Sequence, residues 1–205
     1  MSVLYYIHDP MCSWCYAFGP TLGKLLTSLP AGVEVRRLLG GLAPDSEEPM
    51  PPEMRMKLQQ TWSRIQHQVP DTKYNFDFWT KCEPRRRTWR ACRAIIVARQ
   101  QDSSFDELMT QAIQRGYYRE ARNPSDRETL IALAEEIGVD KVGFAEELDA
   151  PSTQSLLDEE MAQAKGLGVD RYPSLVLDLG NDSRWRVPVD YNDHLPMLEL
   201  IESLV

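Results

Sequence analysis

The sequence is poor in cysteine, with four in 205 residues. That is too few to staple a secreted domain, so any disulfide here is expected to be chemistry and not scaffolding. Long apolar runs are also missing. The longest uninterrupted ones, such as 3–7, 14–18, 94–98 and 130–134, hold five residues, against the roughly 18 that a membrane span needs. A transmembrane helix, and a membrane as partner, are excluded on that count. The first ten residues carry no basic n-region, no long apolar h-region and no small-residue cleavage site, which gives the expectation of a cytoplasmic protein. Positive charge is short as well: 23 Lys+Arg against 31 Asp+Glu leave a formal charge of −8. This balance favours solubility and argues against nucleic acid as a partner. What the chain does have is 42% hydrophobic residues with 14 Pro and 11 Gly, the make-up of a globular chain able to bury a core, alone or with an insertion.

Residues 2–8, rich in Val, Ile and Tyr and closed by Asp9-Pro10, predict a strand. From Cys12 the apolar spacing turns helical through Phe18, Leu22, Leu25 and Leu29, with Pro20 expected to kink the helix. A second strand is predicted over 33–39, followed by a Pro-rich loop through Pro44, Pro49, Pro51 and Pro52. Helical periodicity then holds over 53–67, 85–101, 105–118, 127–138 and 155–166, with capping boxes expected at Ser104/Glu107 and Ser125/Glu128. Strands at 174–179 and 184–189 flank a turn signal, Gly180-Asn181-Asp182-Ser183, and 193–204 closes as a helix. The reading is an α/β chain, βαβ then ββα, with 1–49 and 167–205 as core and 50–166 as an inserted all-helical domain.

Cys12-Ser13-Trp14-Cys15 sits at the predicted strand-to-helix turn. At the start of a helix, residues three apart share a face, with Cβ atoms roughly 5–6 Å apart. A disulfide needs about 3.5–4.5 Å, so a small local change opens or closes the pair. The unpaired amides and the positive end of the helix dipole favour a thiolate at Cys12, which makes it the expected nucleophile. Cys15, one turn deeper, is expected to resolve the mixed disulfide. The competing reading of a Cys-x-x-Cys is half a zinc site. It lacks a second pair: Cys82 and Cys92 are separated by nine residues, and His8, His67 and His194 are scattered singly. No metal is therefore expected, and the adjacent βαβ pattern favours redox chemistry.

The motif between a Tyr-Tyr-Ile strand and a Pro20-bearing helix resembles the active site of the thioredoxin superfamily, and the long helical insertion resembles its DsbA branch. Tyr74-Asn75-Phe76-Asp77-Phe78-Trp79, Pro84-Arg85-Arg86 and Ala91-Cys92-Arg93-Ala94 resemble the FrnE-like, protein-disulfide-isomerase members of that branch. The resemblance implies a thioredoxin-like fold, thiol-disulfide exchange with cysteine-bearing proteins or peptides, and an electron donor of thioredoxin or glutathione type. It implies no cofactor beyond the cysteine pair, with glutathione as a potential co-substrate. It also implies that Tyr172-Pro173 is a cis-proline loop facing the cysteines, where the backbone of Tyr172 pairs with an extended substrate strand. The plain alternative is a trans proline opening a strand. Ser-Trp stands between the cysteines where the periplasmic oxidant has Pro-His, so a less oxidising pair, suited to reduction or isomerisation in the cytosol, is expected. Two rivals stay open. One is a glutathione-dependent isomerase or transferase, similar to the kappa-class transferases and hydroxychromene-carboxylate isomerases, which use a serine at the site. The other is a non-catalytic peptide-binding module.

Other residues are weighed individually. Trp14 is expected to be an exposed apolar contact for substrate, while His8 and Ser13 are candidates for tuning the Cys12 thiolate, with a structural histidine the alternative. Trp62, Trp79, Trp89, Tyr117 and Tyr118 read as core or cleft lining. Cys92 falls on an apolar helical stripe and reads as a buried free thiol, Cys82 carries no assignment, and the two are not expected to pair. The arginines between Arg85 and Arg93 suggest either an anion site or a solvated, salt-bridged face.

Overall fold

β-Branched and aromatic side chains suit a packed, pleated surface, and Ser2–His8 forms β1 as they predict. The computed structural model describes residues 2–181 and 183–205. β1 pairs in parallel with β2 (Val33–Leu39) and antiparallel with β3 (Ser174–Asp178), and β3 pairs antiparallel with β4 (Arg184–Val187), giving the order β2-β1-β3-β4. Asp182 of the predicted turn lies outside the described residues; on either side of it Asp178 opposes Arg184.

With neighbours on both edges, β1 is buried from Leu4 to His8, and its period-two alternation divides its side chains between two cores. Leu4 and Tyr6 join Leu175 and Leu177 against Phe18, Leu22 and Leu25 of α1 (Ser13–Ser28) and Met197 and Ile201 of the last helix, Leu195–Leu204. Tyr5 and Ile7 point the other way, toward Leu38, Val176, Ala164 and Val169. α1 runs through Pro20 without a break.

The chain divides into two compact units, Met1–Gly40 with Glu160–Val205, and Gly41–Glu159. The Pro-rich loop after β2 goes with the helical unit because its backbone is bonded there. Ala43 N–H donates to Thr88 Oγ1 at 3.0 Å, Met50 N–H to the Pro84 carbonyl at 2.8 Å, and Trp89 Nε1–H to the Gly41 carbonyl at 3.0 Å. The end of the helix Pro151–Gly166 goes with the sheet, where Glu160 Oε2 accepts the Leu39 amide at 2.8 Å.

The helical unit holds α2 (Pro52–Gln68), α3 (Phe78–Lys81), α4 (Trp89–Gln101), α5 (Phe105–Tyr118), α6 (Arg127–Glu136) and α7 (Lys141–Glu147), then the start of α8 (Pro151–Gly166), leaving Leu195–Leu204 as α9. Its centre is Trp62, fully buried and ringed by Tyr74, Phe76, Phe78, Trp79, Tyr117 and Tyr118 at centroid distances of 4.8–6.0 Å. The sequence pattern did not foresee α3 or α7, which have four and seven residues, too few turns to show a period. α4 starts at Trp89 and not at Arg85, because Arg85 bridges to Pro49 and the Thr88 amide bonds back to Ala43. The expected capping boxes do not form. Ser104 is helical in φ and ψ and its amide goes to Asp102 Oδ1, while Asp126, not Ser125, precedes α6. A side-chain cap forms at Asp140, whose Oδ2 accepts Gly143 N–H at 2.7 Å.

Candidate active site

The turn after β1 delivers a sulfur to the mouth of α1. Asp9 Oδ1 accepts the Met11 amide at 2.8 Å and the Asp9 carbonyl accepts the Cys12 amide at 3.0 Å. Cys12 is thereby the N-cap, one residue before the expected first-turn place, with φ −78° and ψ 117°. Its carbonyl accepts the first helical bond, from Tyr16 N–H at 3.1 Å. Its side chain stands where a capping oxygen would, against amides that have no partner inside the helix.

Cys12 and Cys15 are 8% and 1% exposed, and both thiols are free. The two are held in opposite states. A hydrogen bond from the Cys15 thiol, helped by the amides of Cys15 and Trp14, outweighs burial and the Asp9 charge and holds Cys12 below the usual thiol range. Burial, then the hydrogen bond to Cys12 and its charge, push Cys15 well above that range, with the Asp9 amide pulling weakly the other way. The arrangement suits a thiolate at Cys12 beside a protonated Cys15.

Tyr172 closes the other side of Cys12. The Tyr172-Pro173 bond is cis, and the Tyr172 carbonyl accepts the Cys12 thiol at 3.5 Å. The Tyr172 hydroxyl donates to the Gly40 carbonyl at 2.7 Å, and a Cβ on residue 40 would overlap the tyrosine ring, so glycine is required there for close approach. Beside this loop lies a cleft of about 360 Å³ lined in part by Pro173, Ser174, Arg186, Val187, Pro188 and Tyr191.

The other expected residues fall around this centre with different weights. Trp14 is half-buried rather than exposed, because its ring packs on Tyr191 with centroids 4.8 Å apart. His8 is fully buried with its ring parallel to Tyr6, 4.7 Å away and 4° from coplanar. Ser13 is 8% exposed in the first turn. The strongest influences on the Cys12 sulfur are the Cys15 thiol and burial, then the Cys15 amide, the Asp9 charge and the Trp14 amide.

Three residues at the site went unassigned in the sequence reading. Tyr6 is 4% exposed on the α1 face of the sheet, and burial, then the charges of Cys15 and Cys12, raise its pKa well above the phenol range. Tyr191 packs on Trp14 and Phe18 and is raised by burial and the same two sulfurs. Asp9 is fully buried and acts on both thiols. β1 alternation, which sets Tyr6 on the α1 face, could have flagged the first. An acid three residues ahead of the motif could have flagged the third. Tyr191 has no local signal.

The remaining candidates resolve as structure. Arg87 and Arg93 are buried against carboxylates. Arg87 meets Asp45 at 3.2 Å and also Glu47, and Arg93 meets Asp45 at 2.8 Å and Asp149 at 3.1 Å. Arg90 joins Asp149 at 2.9 Å, and Arg85 joins Asp126 at 3.0 Å. Burial opposes ionisation of Asp149, but Arg90 and Arg93 hold its carboxyl below the usual range. The anion-site reading of the arginines gives way to this ion-pair network, while Arg86 is exposed, with a guanidinium nitrogen 3.7 Å from the Met54 sulfur. Cys92 is fully buried, and Cys82 donates to the Ala121 carbonyl at 3.1 Å. Among the described residues no group of three or more His, Cys, Asp or Glu side chains is placed to hold a metal, and no helix is long and apolar enough to cross a membrane.

A family model for the DSBA-like thioredoxin domain matches residues 4–195. A search of curated proteins gave no match. Among solved structures, the chain is similar to a Nitrosomonas europaea protein described as a candidate protein disulfide isomerase, with TM-score 0.83 and 23% identity over 98% of this chain and 96% of that one. It is also similar to the cytosolic disulfide reductase DsbM from Pseudomonas aeruginosa, with TM-score 0.77 and 23% identity over 98% and 97%. That reductase was also solved with GSH, where the TM-score is 0.77 at 22% identity over 98% of each chain. At these identities the likeness is one of fold.

Proposed function

The chain belongs to the family of DSBA-like thioredoxin domains, and on that premise we propose that it is a cytoplasmic protein thiol-disulfide oxidoreductase of the reductase or isomerase type. Cys12 and Cys15 are its redox pair. The observation that carries this reading is the split state of the two sulfurs: Cys12 favoured as thiolate at the helix N-cap, Cys15 buried and protonated behind it. Cys12 thiolate attacks a disulfide of a protein or peptide, forming a mixed disulfide and releasing one substrate thiol. Cys15 then attacks the Cys12 sulfur, releasing the second substrate thiol and leaving a Cys12–Cys15 disulfide. The substrate gains two electrons and the pair loses two; a thiol donor of glutathione or thioredoxin type resets it. Release of the mixed disulfide to another substrate cysteine before Cys15 acts gives isomerisation.

Tyr172 and Pro173 line the approach to Cys12, and the open part of Trp14 adds an apolar contact beside them. Ser13 and His8 act, in this reading, by packing the motif. Support for the reducing direction comes from the absence of a histidine between the cysteines and from the likeness to a cytosolic reductase solved with GSH. The test equilibrates the protein in glutathione redox buffers, titrates thiolate absorbance, and follows turnover of a disulfide-bearing protein. A Cys12–Cys15 disulfide in equilibrium with glutathione and loss of turnover in Cys12→Ser are expected. Failure of the pair to oxidise in any buffer, or undiminished turnover in Cys12→Ser, overturns the function.

A further inference from the structure

Beside the redox pair the sheet runs out. The pairing of β3 with β4 extends from Asp178–Arg184 only as far as Leu175–Val187, one residue short of Ser174, and Pro188 then leads the chain away. The cleft of about 360 Å³ opens at that corner. Its apolar lining includes Pro173, Leu175, Val187 and Val189, and Tyr191 joins it to Trp14. Pro173 directly follows Tyr172, whose carbonyl meets the Cys12 thiol at 3.5 Å, so the cleft begins next to the reacting sulfur. An extended chain rises about 3.3 Å per residue, which brings side chains about two to four residues from a reacting substrate cysteine over it.

The charge in this cleft is of one sign. Its charged lining residues are Arg171 and Arg186, in a protein whose formal charge is −8. Asp190, between Val189 and Tyr191, turns its Oδ1 to the amides of Asn192 and Asp193 at 2.8 and 3.0 Å. Arg171 pairs with its exposed neighbour Asp170 at 3.3 Å, a contact open to water that leaves other guanidinium donors available. Arg186 makes no ion pair among the described residues. Its Nη2 donates to the Gly168 carbonyl just after α8, and the rest of its fork is available. That bond tethers the side chain, so less freedom is lost when a ligand is held. Arg184, two residues earlier on the same face of β4, is the contrast: Asp178 holds it at 2.9 Å, and it lies outside the lining.

We propose that the cleft is a specificity subsite for an acidic side chain a few residues from the reacting cysteine of a protein substrate, with Arg186 taking its carboxylate and Arg171 in support. A guanidinium presents paired donors that match a carboxylate, and the apolar walls suit the rest of the peptide. The inference rests on the thiol-disulfide reading above and names the substrate class; the bonds made and broken are those already given.

The test uses Cys15→Ser, which halts the reaction at the mixed disulfide. Disulfide-bearing peptides are compared that differ only in carrying Glu, Gln or Lys three residues to either side of the reacting cysteine. The Glu peptide should form the mixed disulfide about tenfold faster than the Gln peptide, and the Lys peptide more slowly than either, with the preference shrinking as salt is added. Arg186→Gln, which keeps a donor for the Gly168 carbonyl, should bring the Glu and Gln rates within about twofold of each other and leave the Cys12 thiolate titration unmoved. Arg186→Glu should favour the Lys peptide. Arg184→Gln removes the same charge from the same strand and should leave the preference intact. If the Arg186 variants do not fold, Arg171→Gln, expected to reduce the preference about threefold, and the unaltered-arginine panel still decide.

Equal Glu and Gln rates with both arginines in place, or a preference that survives Arg186→Gln, overturns the inference alone. So does a loss confined to resetting of the Cys12–Cys15 disulfide by glutathione, which assigns the cleft to the donor's carboxylates. Absence of a mixed disulfide with every peptide overturns the function itself.

Discussion

In the helical unit, buried charge meets its opposite: Arg93, 5% exposed at its side chain, is ringed by Asp45, Asp149, Gln154 Oε1 and the Leu148 carbonyl. In the sheet unit a fully buried carboxylate, Asp9, faces two sulfurs that its charge disfavours as thiolates. The first arrangement pairs the Arg93 charge and holds loops to helices. The second sets groups against one another, so that Cys12 is favoured as a thiolate and Cys15 as a thiol.

The largest test of this contrast is Arg93→Ala. Removing it takes one cation from Asp45 and Asp149, which keep Arg87 and Arg90, and takes this donor from Gln154 and the Leu148 carbonyl, so the chain should lose about 3 kcal/mol of stability by urea unfolding. The Cys12 titration should be unmoved; a shifted Cys12 would erase the distinction between the units. Next in size is Gly40→Ala. The added methyl displaces the Tyr172 ring, and an overpacked site of this kind costs about 1–3 kcal/mol. Slower alkylation of Cys12 in the folded variant should accompany that loss.

Asp9→Asn keeps an acceptor for the Met11 amide and removes the charge. Both cysteines should titrate lower, read by thiolate absorbance, and an upward movement would show that Asp9 acts through geometry instead. pH sharpens the same point. Cys12 is depressed in the folded protein, so the reduced form should gain stability as pH rises from the folded Cys12 pKa to the ordinary thiol value, and lose it as pH falls back. Cys15 is raised, so it favours the fold below the ordinary thiol value, and that contribution falls away as pH rises toward the folded Cys15 pKa. Cys12→Ser should remove the first slope and leave the part of the second that burial causes. The smallest effects are at helix starts. Asp140→Ala should cost about 1 kcal/mol as a lost cap, while Ser104→Ala should stay within about 0.5 kcal/mol.

Much of the outline was legible because local periods carry it. β1, β2 and the long helices announce themselves by alternation or by three- and four-residue spacing, and the Cys-x-x-Cys fell at the turn between them. Short elements such as α3 and the true caps were not, since one helical turn has no period and a cap depends on which acceptor wins the amide. The arginines stayed undecided for a related reason: sequence shows five like charges in a cluster, but the carboxylates that pair four of them come from Asp45, Glu47, Asp126 and Asp149.

The sequence alone determined that Cys12 and Cys15 meet, since two cysteines three apart at a helix start share a face whatever surrounds them. Only the tertiary structure decided what each sulfur feels. Tyr6, Asp9, Tyr172 and Tyr191 reach the pair from β1, the turn after it, the start of β3 and the segment before α9. Burial and charge act through space, and no spacing along the chain records them.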